Sequence, residues 1–440
     1  APCNRIVISM NSSNIKSRLI AMNFLEFAVW GAYLTSMGSF LAGKEMGANI
    51  GWFYSVQGIV SIFMPALVGM IADRFVQAQR MLSLCHLLAA AFMIVVGWIG
   101  MGEHVAFADI FPWYTLSVAA YMPTLALSNS VSYNALERSG LDTVKDFPPI
   151  RIFGTIGFIV SMWIVDLLGW QQTHVQFFVS AFWSLMLAAY ALTLPSCPVN
   201  KGSEKKGLVQ AMGLDAFKLF RHKRMALFFL FSMFLGVSLQ ITNGFANPFI
   251  SSFGAEAAFR GQWFVKHANV LISLSQISET FCILLIPFFL KRFGIKTVML
   301  IAMFAWVLRF GFFAVGVPAF PGVIFLILSM IVYGVAFDFF NVSGSLFVDK
   351  ECDGSIRSSA QGLFMLMTNG IGASIGTLGA QAVVNCYTEN KDGFQVGDWS
   401  SVWFIFAGYA LLIGVLFFFL FSGKKENTAP ERQKQPEVIE

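Results

Sequence analysis

Apolar residues run almost unbroken over twelve stretches of the chain. Six lie at 18–41, 50–72, 81–101, 110–136, 150–169 and 174–195, and six more at 226–250, 266–290, 296–316, 321–348, 356–385 and 399–422. Each can cross a hydrocarbon layer of ~30 Å as a helix, and each is too long for a barrel strand. Lipid offers no water to backbone N–H and C=O groups, so spans must be helices or closed barrels. The pattern predicts an all-α polytopic membrane protein of twelve transmembrane helices. A polar connector, 196–225, separates the sixth run from the seventh and divides the chain into halves 18–195 and 226–422. An N-terminal tail (1–17) and a C-terminal tail (423–440) flank them. The mixed charges, Pro and Gln of the latter read as disordered.

Charge sets the expected orientation. Of the 29 Lys and Arg, four (Lys44, Arg260, Lys266, Lys391) fall in one alternate set of loops and two (Arg151, Arg309) within spans; the rest lie in the other loops and the tails. The positive-inside rule then places both termini in the cytoplasm. The first nine residues lack Met, and Met10 reads as a native start. The first apolar run leads straight into others, so no cleavable signal peptide is expected.

Composition narrows the class. The 440 residues are 57% hydrophobic and 12% charged, whereas a soluble domain is about a quarter charged. The 48 Phe and 11 Trp suit lipid-facing and interfacial surfaces. Six Cys and five His show neither metal spacing nor a disulfide framework. There is no catalytic constellation, phosphate-cradling loop or nucleic-acid stripe, so no enzyme, metal, cofactor or nucleic-acid partner is expected. The net charge of +5 follows from the loop cations.

Polar side chains at span depth are the candidate chemistry, because a carboxylate in hydrocarbon costs at least ~2.5–3.5 kcal/mol. Asp338 lies within the tenth run, near Tyr333, Phe337 and Asn341. It reads either as a packing hydrogen bond from a protonated acid or as a substrate or coupling residue. Arg151 follows Phe147-Pro148-Pro149, a helix-start signal, with Thr155 and Phe158 at i+4 and i+7 on its face. Gln240 and Asn243, and likewise Gln276 and Glu279, are i, i+3 pairs; Glu26 lies in the first run. Glu279 sits roughly eleven to thirteen residues from either end of its run, too far to snorkel. Arg309, toward the outer end of the ninth run, reads as snorkelling. Amides, carboxylates and aromatic faces together suit a polar, ringed solute. A nucleobase would stack and hydrogen-bond here, and a sugar would use a similar set. Helix-bridging hydrogen bonds are the plain alternative for each amide pair.

A weak repeat supports two related halves: Gln57 followed by Asp73-Arg74 corresponds to Gln276 followed by Arg292 at an offset of about 219 residues. The segment from Gly69 to Asp73-Arg74 and Arg80 resembles the loop signature of the major facilitator superfamily. Its Asp73 and Arg74 are candidate gating residues. Further motifs are more specific: Asp146-Phe147-Pro148-Pro149-Ile150-Arg151 with Thr155 and Phe158; Leu214-Asp215-Ala216-Phe217; Gln240-Ile241-Thr242-Asn243; Ser275-Gln276-Ile277-Ser278-Glu279; and Tyr333 to Asn341 around Asp338. From about Arg18 to Phe421 the chain resembles the bacterial nucleoside permeases, the nucleoside:proton symporter family of that superfamily.

The resemblance implies a major facilitator fold in the inner membrane. It also implies import of purine and pyrimidine nucleosides driven by protons, with the lipid bilayer as surroundings and a monomer as the working unit. It puts Arg151, Thr155, Phe158, Gln240, Asn243, Gln276, Glu279, Tyr333 and Phe337 on the nucleoside site and Asp338 on the proton-coupling position. One departure is Glu26, where that family carries Gln; it adds a second candidate proton carrier. Arg151 and Asp338 are expected to approach across the halves, a pairing made and broken as the carrier turns. A sugar symporter, a drug exporter and a membrane sensor are the competing readings.

Overall fold

The computed structural model describes residues 12–197, 214–352 and 357–421. The tails, and residues 198–213 of the connector with Lys201, Lys205 and Lys206, lie outside them. Among the described residues, eight helices are long and apolar enough to cross a membrane. Their outer faces expose large apolar side chains such as Trp98, Phe281, Leu284 and Phe419, a surface suited to lipid and not to water.

The first half contains α1 (Ser12–Gly31), α2 (Met37–Gly43), α3 (Ile50–Arg74), α4 (Ala78–Gly100), α5 (Phe107–Arg138), α6 (Thr143–Leu167) and α7 (Val175–Ala191). The second contains α8 (Lys223–Ser252), the short α9 (Trp263–Lys266), α10 (Ala268–Val315), α11 (Val323–Glu351), α12 (Arg357–Met365), α13 (Ala373–Tyr387) and α14 (Trp399–Leu420).

Several boundaries differ from the sequence expectation for local reasons. The first run is interrupted by a turn at 32–36, leaving α1 and α2 as consecutive pieces. The helix carrying Arg151 begins at Thr143, so Pro148 and Pro149 lie inside it. Asp146 ties that start down by accepting the Asp142 N–H at 3.1 Å and pairing with Lys16 at 2.7 Å. α10 holds two apolar runs that reverse at Gly294, whose φ of 75° suits a residue without Cβ. A π-helical segment, Leu366–Gly372, joins α12 to α13. A two-stranded hairpin, β1 (Thr388–Lys391) and β2 (Phe394–Gly397), interrupts the all-α pattern. Its turn is Asp392-Gly393, both at positive φ, as a tight hairpin requires.

Within each half, small residues let helices approach closely. A Cβ on Gly31 would strike the Phe158 backbone, and one on Gly157 the Phe24 backbone, which brings α1 against α6. Gly236 meets Thr368 and Gly372 meets Met233 in the same way, seating α8 on the π segment.

The halves pack against each other as far along α3 as Ile62, which lies against Gly370. Among the described residues, their mutual hydrogen bonds all lie at the end of the bundle away from the chain termini. Thr35 donates to Asn269 at 3.0 Å and Asn247 donates to Gln171 at 3.3 Å, while within the second half Asn247 also donates to Asn269 at 2.7 Å. Ser39 bonds both Asn247 and Ser251. Gly51 N–H donates to Gln381 and Ser55 to the Ser374 carbonyl; Trp163 donates to Ser273 at 2.8 Å. At the opposite end the first half has an apolar core of its own, around Leu19, Leu82, Val131 and Leu187. The bundle is therefore shut at its distal end, and the halves part toward the termini.

Candidate substrate site between the halves

On α6, the Arg151 guanidinium lies 3.8 Å over the Phe27 ring, within its own half. One turn on, Thr155 is half-buried and its hydroxyl has no hydrogen-bond partner among the described residues. Phe158 is buried against α1.

The second half brings three helices to the facing wall. On α8, Asn243 donates to Gln240 at 3.2 Å. On α10, the buried Gln276 Oε1 has no partner, and Glu279 is half-buried one turn away. On α11, Tyr333 and Phe337 stack at 5.8 Å and 12°. Asp338 follows, buried, with Oδ2 unpartnered. A buried polar atom without a partner costs about 1–3 kcal/mol. Two such atoms on neighbouring helices suit a place where a ligand or a proton completes the bonding. Beside Phe337 is a small cavity of about 30 Å³, also lined by Trp306, Asn341, Thr368 and Asn369.

Glu279 is the electrostatic centre of this wall. It lies within electrostatic reach of Arg151 across the halves and of Tyr333 and Asp338 within its own half. The expected approach of Arg151 to Asp338 is not made in this conformation: the second-half carboxylate within electrostatic reach of Arg151 is Glu279. No ion pair within 4.0 Å joins any of the three among the described residues.

Three other expectations fall elsewhere. Glu26 is fully buried inside the first half, where its carboxylate meets His86 Nε2 at 2.9 Å and Thr124 Oγ1 at 2.5 Å. Arg309 does not snorkel; it is fully buried among α8, α10 and α11, where Thr242, Ser275 and the Ser329 carbonyl accept from its Nε and Nη1 while its Nη2 has no partner among the described residues. The backbone of Asp73 and Arg74 closes α3, and their side chains lie outside the described residues. His86 and Arg309 carry chemistry that the sequence reading missed. His86 had no spacing signal at all, whereas Arg309 was visible as a charge at span depth.

Two helical halves with polar side chains gathered between them at mid-depth make up the architecture of an alternating-access carrier. The molecule is a membrane transporter with the major facilitator fold, not an enzyme. Residues 13–426 match the family described as nucleoside H+ symporter, and the chain belongs to that family. It is 50% identical to the xanthosine permease of Escherichia coli (strain K12) over 428 residues, 97% of this chain and 99% of that one. Nucleoside permease NupG of the same organism is 47% identical over 413 residues, 93% of this chain and 97% of that protein. The crystal structure of nucleoside transporter NupG aligns with a TM-score of 0.85 at 46% identity, covering 93% of this chain and all of the other. A peptide transporter of the POT family shares the fold alone, at 13% identity and a TM-score of 0.66.

Proposed function

We propose that this transporter carries nucleosides into the cell with protons across the inner membrane, by rocking its two halves about the site between them. The reading rests on one observation above the others: the unpartnered Gln276 Oε1 and Asp338 Oδ2, buried beside the Tyr333–Phe337 stack. Aromatic faces stack a base at ~1–3 kcal/mol each. Gln240, Asn243, Gln276 and Glu279 supply the donor and acceptor pairs that a base edge and ribose hydroxyls need. Arg151, Thr155 and Phe158 form the opposing wall.

The Lys/Arg asymmetry puts both termini in the cytoplasm and makes the closed distal end the outer one. The parting of the halves toward the termini is then the inward-facing state. Three helices shorter or less apolar than the rest (α1 with α2, α5 and α7) complete twelve spans when the two arms of α10 are counted separately. Asp338 carries the coupled proton. It is buried and lacks a counter-cation, while the neighbouring Glu279 exchanges its influence with Arg151 as the halves move. Protonation of Asp338 removes a like charge beside Glu279, so proton and nucleoside favour the same state, and each raises the other's affinity equally.

The test is uptake into proteoliposomes under an inward proton gradient. Labelled uridine accumulation should be competed by adenosine or xanthosine and left untouched by hexoses. Competition by hexoses with nucleosides inert would replace this reading with a sugar symporter.

A further inference from the structure

Arg309 lies where a cation has few ways to be satisfied. It is fully buried, and no carboxylate is within 4.0 Å of it among the described residues. Burying an ion costs several kcal/mol even after relaxation, and a position serving only packing would be filled better by Leu or Met. What surrounds Arg309 is specific. Its Nε donates to Thr242 Oγ1 at 3.3 Å, and its Nη1 to the Ser329 carbonyl at 2.6 Å and to Ser275 Oγ at 3.3 Å. Its flat face lies 4.6 Å from the Tyr333 ring centre and 5.1 Å from that of Phe313.

Each hydrogen-bond partner is one step from a substrate-site residue. Thr242 stands between Gln240 and Asn243 on α8. Ser275 precedes Gln276 and lies one helical turn before Glu279 on α10. Ser329 lies one turn before Tyr333 on α11, so the same guanidinium holds the backbone below Tyr333 and the face of its ring. Trp306, one turn before Arg309, meets Tyr333 edge-on at 5.9 Å.

Resting on the nucleoside reading above, we propose that Arg309 is a positioning residue of the nucleoside site: it sets the three helices of the second-half wall in register and fixes the Tyr333 ring on which the base stacks. Only Arg offers donors in several fixed directions together with a planar face that stacks on an aromatic ring. Lys keeps the charge and loses both properties.

The experiment is a double-mutant cycle on the full-length purified transporter, with uridine, adenosine and xanthosine binding followed by calorimetry. Arg309→Lys should raise the nucleoside Kd by about tenfold. In a Tyr333→Leu background the same change should matter less than about twofold, because the ring through which Arg309 acts is gone. A merely structural role would give equal losses in both backgrounds, and that result, or unchanged affinity in Arg309→Lys, overturns the proposal. Should Arg309→Lys not fold, Thr242→Val combined with Ser275→Ala removes two of its acceptors and keeps the cation. Weaker binding at an unchanged melting temperature supports the proposal, and unchanged binding overturns it. Failure of the wild-type protein to bind any of the three nucleosides would instead defeat the functional reading, and this inference with it.

Discussion

Glu26 and His86 share a proton in the interior of the first half. Ser184 Oγ donates to the His86 carbonyl at 2.9 Å, so at its 2.9 Å contact with His86 Nδ1 it can only accept. Nδ1 therefore carries its hydrogen. The 2.9 Å contact between Nε2 and Glu26 Oε2 then needs a proton of its own, borne by either the imidazole or the carboxyl. Tyr121 donates to the Glu26 carbonyl at 2.9 Å. Both carboxylate oxygens are hydrogen-bonded within the first half and the side chain has no exposed surface. We therefore assign it a structural part and leave coupling to Asp338.

Glu26→Gln should accordingly leave the proton-to-nucleoside ratio unchanged, since the amide supplies its own hydrogen to Nε2. Reversal-potential measurements in proteoliposomes check this, and a changed ratio would return Glu26 to the list of carriers. His86→Leu should behave differently: it strands a buried carboxyl, and breaking a buried pair costs about 3–5 kcal/mol. A fall in the melting temperature is expected there and not in Glu26→Gln.

Asp338→Asn removes the titratable group while keeping the shape of α11. The variant should bind nucleoside and exchange it in counterflow, yet fail to accumulate it when a proton gradient is imposed. Accumulation at the wild-type ratio would take the coupling role away from Asp338.

Gln240 and Glu279 should both contribute to affinity. Gln240→Ala leaves the Asn243 amide without its 3.2 Å acceptor, and Glu279→Ala removes the charge that reaches Arg151. Each should weaken nucleoside binding by about 1–3 kcal/mol, or about fivefold to 150-fold in Kd. Equal affinity in both variants would remove them from the site.

How much of this was legible in the chain depended on where the physics was local. Spans show in the sequence because lipid demands long apolar helices, so the runs at 81–101 and 399–422 reappear as α4 and α14 with small shifts. The Asp392-Gly393 hairpin also had a local signal, hidden by the expectation of helices alone. The start of α6 was misplaced because Pro148-Pro149 reads as a beginning, whereas the cap at Asp142–Asp146 lies earlier. Arg309 and the Glu26–His86 pair were beyond local reasoning. Whether a guanidinium snorkels depends on acceptors from two other helices and the far arm of its own, and Glu26 meets a histidine 60 residues away. The same holds for Arg151, whose second-half partner is set by the conformation that the halves adopt.

The distal seal offers a prediction that only the structure could raise. Asp166, at the end of α6, meets His267 Nδ1 at 2.5 Å and accepts the Val270 N–H at 3.0 Å, so one buried carboxylate clasps the start of α10. Nearby, Asn247 gathers Ser39, Ser251, Gln171 and Asn269 across the same seam. Opening outward must break these bonds, whereas the inward state keeps them. Asp166→Ala leaves the Val270 N–H and His267 without their acceptor only while the seam is closed, because water satisfies them once it opens. The variant should therefore shift the resting equilibrium toward the outward-open state by about tenfold, equivalent to ~1.4 kcal/mol. Spin labels on the distal ends of α6 and α10 would read this as a gain in the long-distance population, without nucleoside present. Distance distributions matching wild type would mean that Asp166 does not bias the transition, and that the amide cluster around Asn247 holds the seam alone.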